Sequence, residues 1–293
     1  VAVLLLGVVA VDTGAVLLHD DATPYGAGQA VADFRRQHAA SGVSVPSAAA
    51  ATATSTPSAA PSTPVPSSTA HPTGAPTTAA AAPRATPAPP SAATLQEGVY
   101  SYATSGHEEV DILGGARHDY PDQTTVTYQR GGCGDEDRWQ PLKERYSANT
   151  VCRGAHGLEA RSSVQRHQFF GQSDEQVLTC APGLVLVPDD PRAGQVFTGE
   201  CRSADTDVRL TIRVRELVTL QVGGRSVPTV HISVDGQLSG SSRGTNHREE
   251  WFTRAGMLVR GTASTESDRD TSAGVVHYSE VYELRLGSLD PQR

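Results

Sequence analysis

Hydrophobic and polar positions divide the chain into three regimes. Val1–Val11 form an unbroken apolar run, VAVLLLGVVAV, which Gly14–Leu18 extend past Asp12. From Ser44 to Ala93 the pattern dissolves into Pro, Ala, Ser and Thr without an aromatic residue. From Gly98 onward, short runs alternate apolar and polar residues, with Gly, Asp and Pro at the joints, as antiparallel β strands do.

The clearest strand is Val208–Val214, where Val208, Leu210, Ile212 and Val214 alternate with Arg209, Thr211 and Arg213. Val230–Val234 follows, with His231 and Ser233 on its other face, and QVGGRSVP between them carries a Gly-Gly hairpin signal. Glu249–Thr253, a turn at Arg254-Ala255-Gly256, Met257–Gly261 and Val276–Leu286 continue the meander. In the first half, Val99–Ala103, Thr124–Gln129, Arg138–Gln140, Tyr146–Cys152, Leu158–Phe170 and Glu175–Cys180 are the expected strands. Together they predict a mostly β domain over residues 95–289: a curved antiparallel meander sheet, half-barrel or sandwich-like. Val208, Leu210, Ile212, Val214, Val230, Ile232, Val234, Tyr278, Tyr282 and Leu284 share inward parity and are expected on one surface. The first-half strands should cover it, with Trp139, Phe169 and Phe170 filling the interior.

The two N-terminal regimes predict a different environment. A membrane-spanning helix needs about 20 apolar residues. Residues 1–18 are expected to be the outer part of such a transmembrane or signal-anchor segment. Residues 25–38, YGAGQAVADFRRQH, predict a short helix with Val31 and Phe34 on one face, either lying at the membrane surface or serving as a spacer. Eleven of the 19 prolines lie between Val45 and Leu95, where Arg84 is the only charged residue. Such a segment cannot bury enough apolar area to offset its ordering entropy. Residues 44–94 are therefore expected to form a disordered stalk, with a reach of roughly 150 Å in polyproline geometry. The domain that follows should then lie outside the cytoplasm, on a single-pass protein of the cell membrane.

Cysteine usage agrees. All four cysteines, Cys133, Cys152, Cys180 and Cys201, lie in the β domain without a CxxC spacing, which points to two disulfides and away from zinc. Three pairings are open, and the local one, Cys133–Cys152 with Cys180–Cys201, is expected. A formal net charge of −8 gives no basic footprint for nucleic acid.

Candidate chemistry is sparse. GGARHDYPD carries His118, Asp119, Tyr120 and Asp122, but neighbours on a strand point to opposite faces, so His118 and Asp119 should not act together. His167 and Phe169 share one face; Phe170 takes the other. Glu216 and Glu280 keep the parity of apolar faces and, if buried, need partners such as Arg213, Arg215 or Arg285, unless a bulge turns them outward. They are where internal chemistry would be sought first. No HExxH, Walker or dinucleotide motif is present, and no catalytic, cofactor or metal residues are assigned.

Two resemblances accompany these residues. VTLQVGGRSVPTVHISV, EEWFTRAGMLVR and the final YELRL strand resemble bacterial periplasmic and secreted β proteins, some sharing the half-barrel of lipoprotein carriers that hold acyl chains. TSGHEEVDILGGARHDYP, GGCG, LKERY, FFGQSDE and the four cysteines resemble uncharacterised membrane-anchored extracytoplasmic proteins of actinobacteria. The expected role is a non-catalytic envelope module on a stalk, contacting an envelope protein, a glycan or the cell wall. The alternatives are a carrier of a lipid-like ligand and a hydrolase with an unrecognised site.

Overall fold

The computed structural model describes residues 20–40, 95–271 and 274–293. The predicted membrane segment (1–18) and stalk (44–94) lie outside the described residues. Among the described residues, no helix is long and apolar enough to cross a membrane, so the expected transmembrane helix finds no support there.

The remainder is mostly β. The first half holds β1 (Gly98–Val110), β2 (Ala116–Asp119), β3 (Gln123–Gly131), β4 (Gly134–Trp139), β5 (Tyr146–Arg153), β6 (Gly157–Phe169) and β7 (Gln172–Cys180). The second holds β8 (Val185–Pro188), β9 (Val196–Arg202), β10 (Thr206–Val222), β11 (Arg225–Gly240), β12 (Ser242–Phe252), β13 (Leu258–Thr271) and β14 (Gly274–Leu286). All pairings are antiparallel, mostly between consecutive strands, as the alternating pattern predicts. β8 continues the line of β7 along β6, and β9 takes over beside β7.

The sheet is neither a half-barrel nor a sandwich. β1 pairs with β3 and β2 along one edge and with β14 along the other, from Tyr102↔Leu286 to Val110↔Tyr278, so the sheet closes on itself. A long sheet with steady twist coils until its ends meet, and closure pairs the edge N–H and C=O groups that a half-barrel leaves open. Gly106 makes the close approach: a side chain there would meet the Val281 carbonyl at 2.1 Å. Closure is weakest between β7 and β9, which are in register only at Thr179↔Arg202 and Cys180↔Cys201.

Inward parity produces two apolar clusters. One joins Val208, Ile212, Val214, Val230, Ile232 and Val234 with Leu158, Leu178 and Leu184. The other joins Tyr100, Tyr102, Tyr128, Trp139, Met257 and Leu286. The predicted concave surface is thus divided, with Leu284 and Tyr282 falling in the second cluster. The β10–β11 hairpin turns at Gly223-Gly224, both at positive φ, and packs Val222 and Val227 into that second cluster. A bulge near Leu258 frees backbone groups there. Tyr102 donates to the Leu258 carbonyl at 2.5 Å, and Tyr128 accepts from the Leu258 N–H at 3.0 Å. Two buried phenols thereby tie β1 and β3 to β13.

The N-terminal helix, α1 (Ala27–Ala40), is not a free spacer but packs against the barrel. Its Ala30 and Phe34 cover the outward-facing Val99 of β1. The preceding residues are pinned as well: the Tyr25 N–H donates to the Pro141 carbonyl at 3.1 Å, and the Lys143 N–H to the Thr23 carbonyl at 2.8 Å. Residues 20–40 therefore belong to the folded unit. Phe170 corrects a second expectation. It sits in the β6–β7 turn with φ +51°, half-buried, and does not fill the interior.

Candidate functional site

Glu108 lies inward on β1, and the register sets Glu280 of β14 opposite it on one side and His118 of β2 on the other. Two carboxylates directly opposed across strands repel unless a cation joins them. Arg145, fully buried, is that cation. It donates to Glu280 from Nε at 2.9 Å and Nη2 at 3.2 Å, and its Nε lies 3.9 Å from Glu108. Glu108 also accepts from His118 at 3.1 Å, His167 at 2.8 Å and the Tyr278 hydroxyl at 3.2 Å. The Tyr120 hydroxyl donates to Glu280 at 2.5 Å. Asp20, from the N-terminal segment, takes the second ring nitrogen of His118 at 3.1 Å.

Protonation follows from these partners. Burial works against ionised Glu108, but His118, His167 and Arg145 outweigh it and lower its pKa to about 2. Burial likewise opposes a charged His118, yet Glu108 and Asp20 raise its pKa above the ordinary value. With both ring nitrogens on carboxylates, His118 is held as the imidazolium and has no free nitrogen to accept a proton from a substrate.

Arg145 and Glu280 also border a cavity of about 190 Å3 within the barrel. Valines, leucines, Trp139 and Phe252 line part of its wall; Asp137, Asn149, Gln176, Arg248 and Glu250 line another part. Arg248 Nη1 lies 3.2 Å from Glu250 Oε1. Asn149 donates to Asp137 at 2.9 Å. Burial, reinforced by Glu250 and opposed by Asn149 and Arg248, raises the Asp137 carboxyl to about 7. Four buried polar atoms on this wall have no hydrogen-bond partner: Arg145 Nη1, Gln176 Nε2, Arg248 Nε and Glu250 Oε2. Buried polar atoms are ordinarily paired, so these four leave hydrogen-bonding capacity unused on the cavity wall.

The structure unites His118, Tyr120, His167, Phe169 and Glu280 and separates the rest. Asp119 points outward to Arg117 at 2.9 Å, as strand alternation requires. Asp122 is exposed. A bulge between Val214 and Glu216 turns Glu216 out, where its carboxylate lies 3.4 Å from His231. Glu280 is buried, but its partner is Arg145, not Arg213, Arg215 or Arg285. Cys133 pairs with Cys152, and Cys180 with Cys201. Among the described residues, no group of three or more His, Cys, Asp or Glu is placed to hold a metal ion.

Sequence reasoning missed Glu108, Arg145, Asp137, Gln176, Arg248 and Glu250. Parity was the available signal for all of them but Arg145. Glu108 continues the inward series of Tyr100, Tyr102 and Thr104, and Glu250 precedes Phe252 by two. Nothing local marks Arg145 in its irregular β4–β5 connection. No protein-family model matches the chain, and neither a curated protein nor a solved structure matches it.

Proposed function

We propose that the barrel is a non-catalytic binding module of the cell exterior that holds a small ligand in its interior, with residues 1–18 as membrane anchor and 44–94 as stalk. The observation that carries this reading is the group of four buried, unpartnered polar atoms on the wall of one cavity. Two disulfides fit an oxidising, extracytoplasmic environment. The volume argues against an acyl-chain carrier. About 190 Å3 is below the roughly 300–1,000 Å3 of drug-sized sites. The exterior offers less for a partner to grip. Among the described residues, the exposed large hydrophobics are Leu113, Val177, Val196, Leu217, Val275 and Val281, none of them aromatic. Trp251 on the outer face is covered by His231 on one side and approached by Arg260.

Native mass spectrometry of the full chain, purified from its own host's membranes, tests the reading. A discrete added mass that is lost on denaturation is the expected result. A bare polypeptide mass, with no small molecule released on unfolding, would overturn it.

A further inference from the structure

We infer that the cavity is built for a small molecule without net charge that carries several hydroxyl groups, such as a sugar ring or short polyol; this rests on the interior-binding reading above. Arg145 spends Nε and Nη2 on Glu280, leaving Nη1 as an unused donor. Arg248 and Glu250 hold each other through Nη1 and Oε1, leaving Nε as a donor and Oε2 as an acceptor. Gln176 Nε2 is a third unused donor. Arg145 is 2% exposed and Glu250 8%, so bulk solvent does not satisfy them.

Each guanidinium on this wall already carries its own carboxylate, so the charges cancel in pairs. An anionic ligand would meet Glu250 and Glu280, and a cationic one would meet Arg145 and Arg248. A hydrocarbon would fill the space but leave three donors and an acceptor buried and dry, each at the cost of its desolvation. Hydroxyl groups answer both needs, because each both donates and accepts. Asp137 extends the match: near its pKa of about 7 it offers either a proton or a lone pair. The volume, equivalent to about six waters, admits one compact molecule. Trp139, Leu238 and Phe252 on the same wall provide apolar contact for a ligand's C–H faces.

Isothermal titration calorimetry on the oxidised full chain separates the alternatives, with glucose, myo-inositol and glycerol as neutral polyols, glycine betaine as a zwitterion, inorganic phosphate as an anion and palmitate as an acyl chain. At least one polyol should bind at least tenfold more tightly than any of the last three. Gln176→Met and Glu250→Gln should each weaken that polyol at least tenfold. Gln176→Met should do so without lowering the melting temperature, since it removes a buried donor that has no partner. Preferential binding of betaine, phosphate or palmitate overturns the ligand class but leaves interior binding standing. If none of the probes binds and native mass spectrometry shows no added mass, the cavity holds only water, and the proposed function falls with the ligand class.

Discussion

His118 and Phe169 lie face to face, ring centroids 4.3 Å apart and planes 10° from parallel, although they come from β2 and β6. The aromatic ring screens one face of a buried imidazolium whose in-plane nitrogens are already taken by Glu108 and Asp20. Phe169 is itself 8% exposed. Phe169→Ala should therefore cost about 3–5 kcal/mol, the range for truncating a buried aromatic. Chemical denaturation measures it, and an unchanged midpoint would mean that the ring packs on nothing.

Removing one charge from the network should be at least as damaging. Glu108→Gln leaves His118 and Arg145 facing a neutral amide, and breaking a buried ion pair costs about 3–5 kcal/mol. The pH dependence has two limbs. Glu108 is depressed in the fold, so its contribution is present above the ordinary value of 4.5 and is lost as pH falls towards 2. His118 is raised, so its contribution is full below 6.5 and is lost as pH rises through its folded value. Thermal melts of the wild type should peak between these limits, and Glu108→Gln should flatten both sides of the peak.

Asp137 gives a different signature. Its carboxyl is raised to about 7, so the fold favours the protonated form, and stability falls as pH climbs from about 4 through 7. A shift of that size corresponds to at most about 4 kcal/mol, and less here because the group borders a cavity. Asp137→Asn should raise the melting temperature at pH 8 and change it little at pH 4. A variant less stable at pH 8 would show that the ionised carboxylate is needed.

The two disulfides close loops of nearly equal length, 19 and 21 residues, so chain entropy assigns each about 3 kcal/mol. Their settings differ. Cys180–Cys201 occupies one of the two registered pairs between β7 and β9. Serine replacement of both cysteines in either bridge should lower stability comparably. Only loss of Cys180–Cys201 should greatly speed amide exchange along β7 and β9. Equal exchange in the two variants would mean that the short ladder holds without its bridge.

Deleting residues 1–19 should leave the melting temperature unchanged, whereas deleting 1–94 should lower it. The longer deletion uncovers Val99 and strips Asp20 from His118. Equal melting temperatures would show that α1 and its leading segment add nothing.

The strands were legible wherever inward positions are apolar, as along Val208–Val214 and Val230–Val234. They were underestimated where inward positions are polar. β12 runs from Ser242, yet only its end at Glu249 was visible, because Asn246 and Arg248 face the cavity and break the apolar alternation. The same substitution of polar for apolar residues that hid the strands makes the cavity wall. His118, His167 and Glu280 stood out as individuals. Their meeting did not, because it depends on β1–β14 and β1–β2 register and on an arginine from an irregular connection. Barrel closure was hidden for a related reason: no local pattern says that the first strand pairs with the last.

That closure orders events during synthesis. A chain made from its N-terminus delivers β1 early, but β1 stays one-sided until β14 emerges behind all the intervening hairpins. Throughout that interval the nascent sheet has a sticky rim, carrying the inward tyrosines of β1 and its unpaired amides. Folding of this barrel is thus gated by the arrival of its last strand. Premature pairing of that rim with a neighbouring nascent chain is the folding error this topology invites.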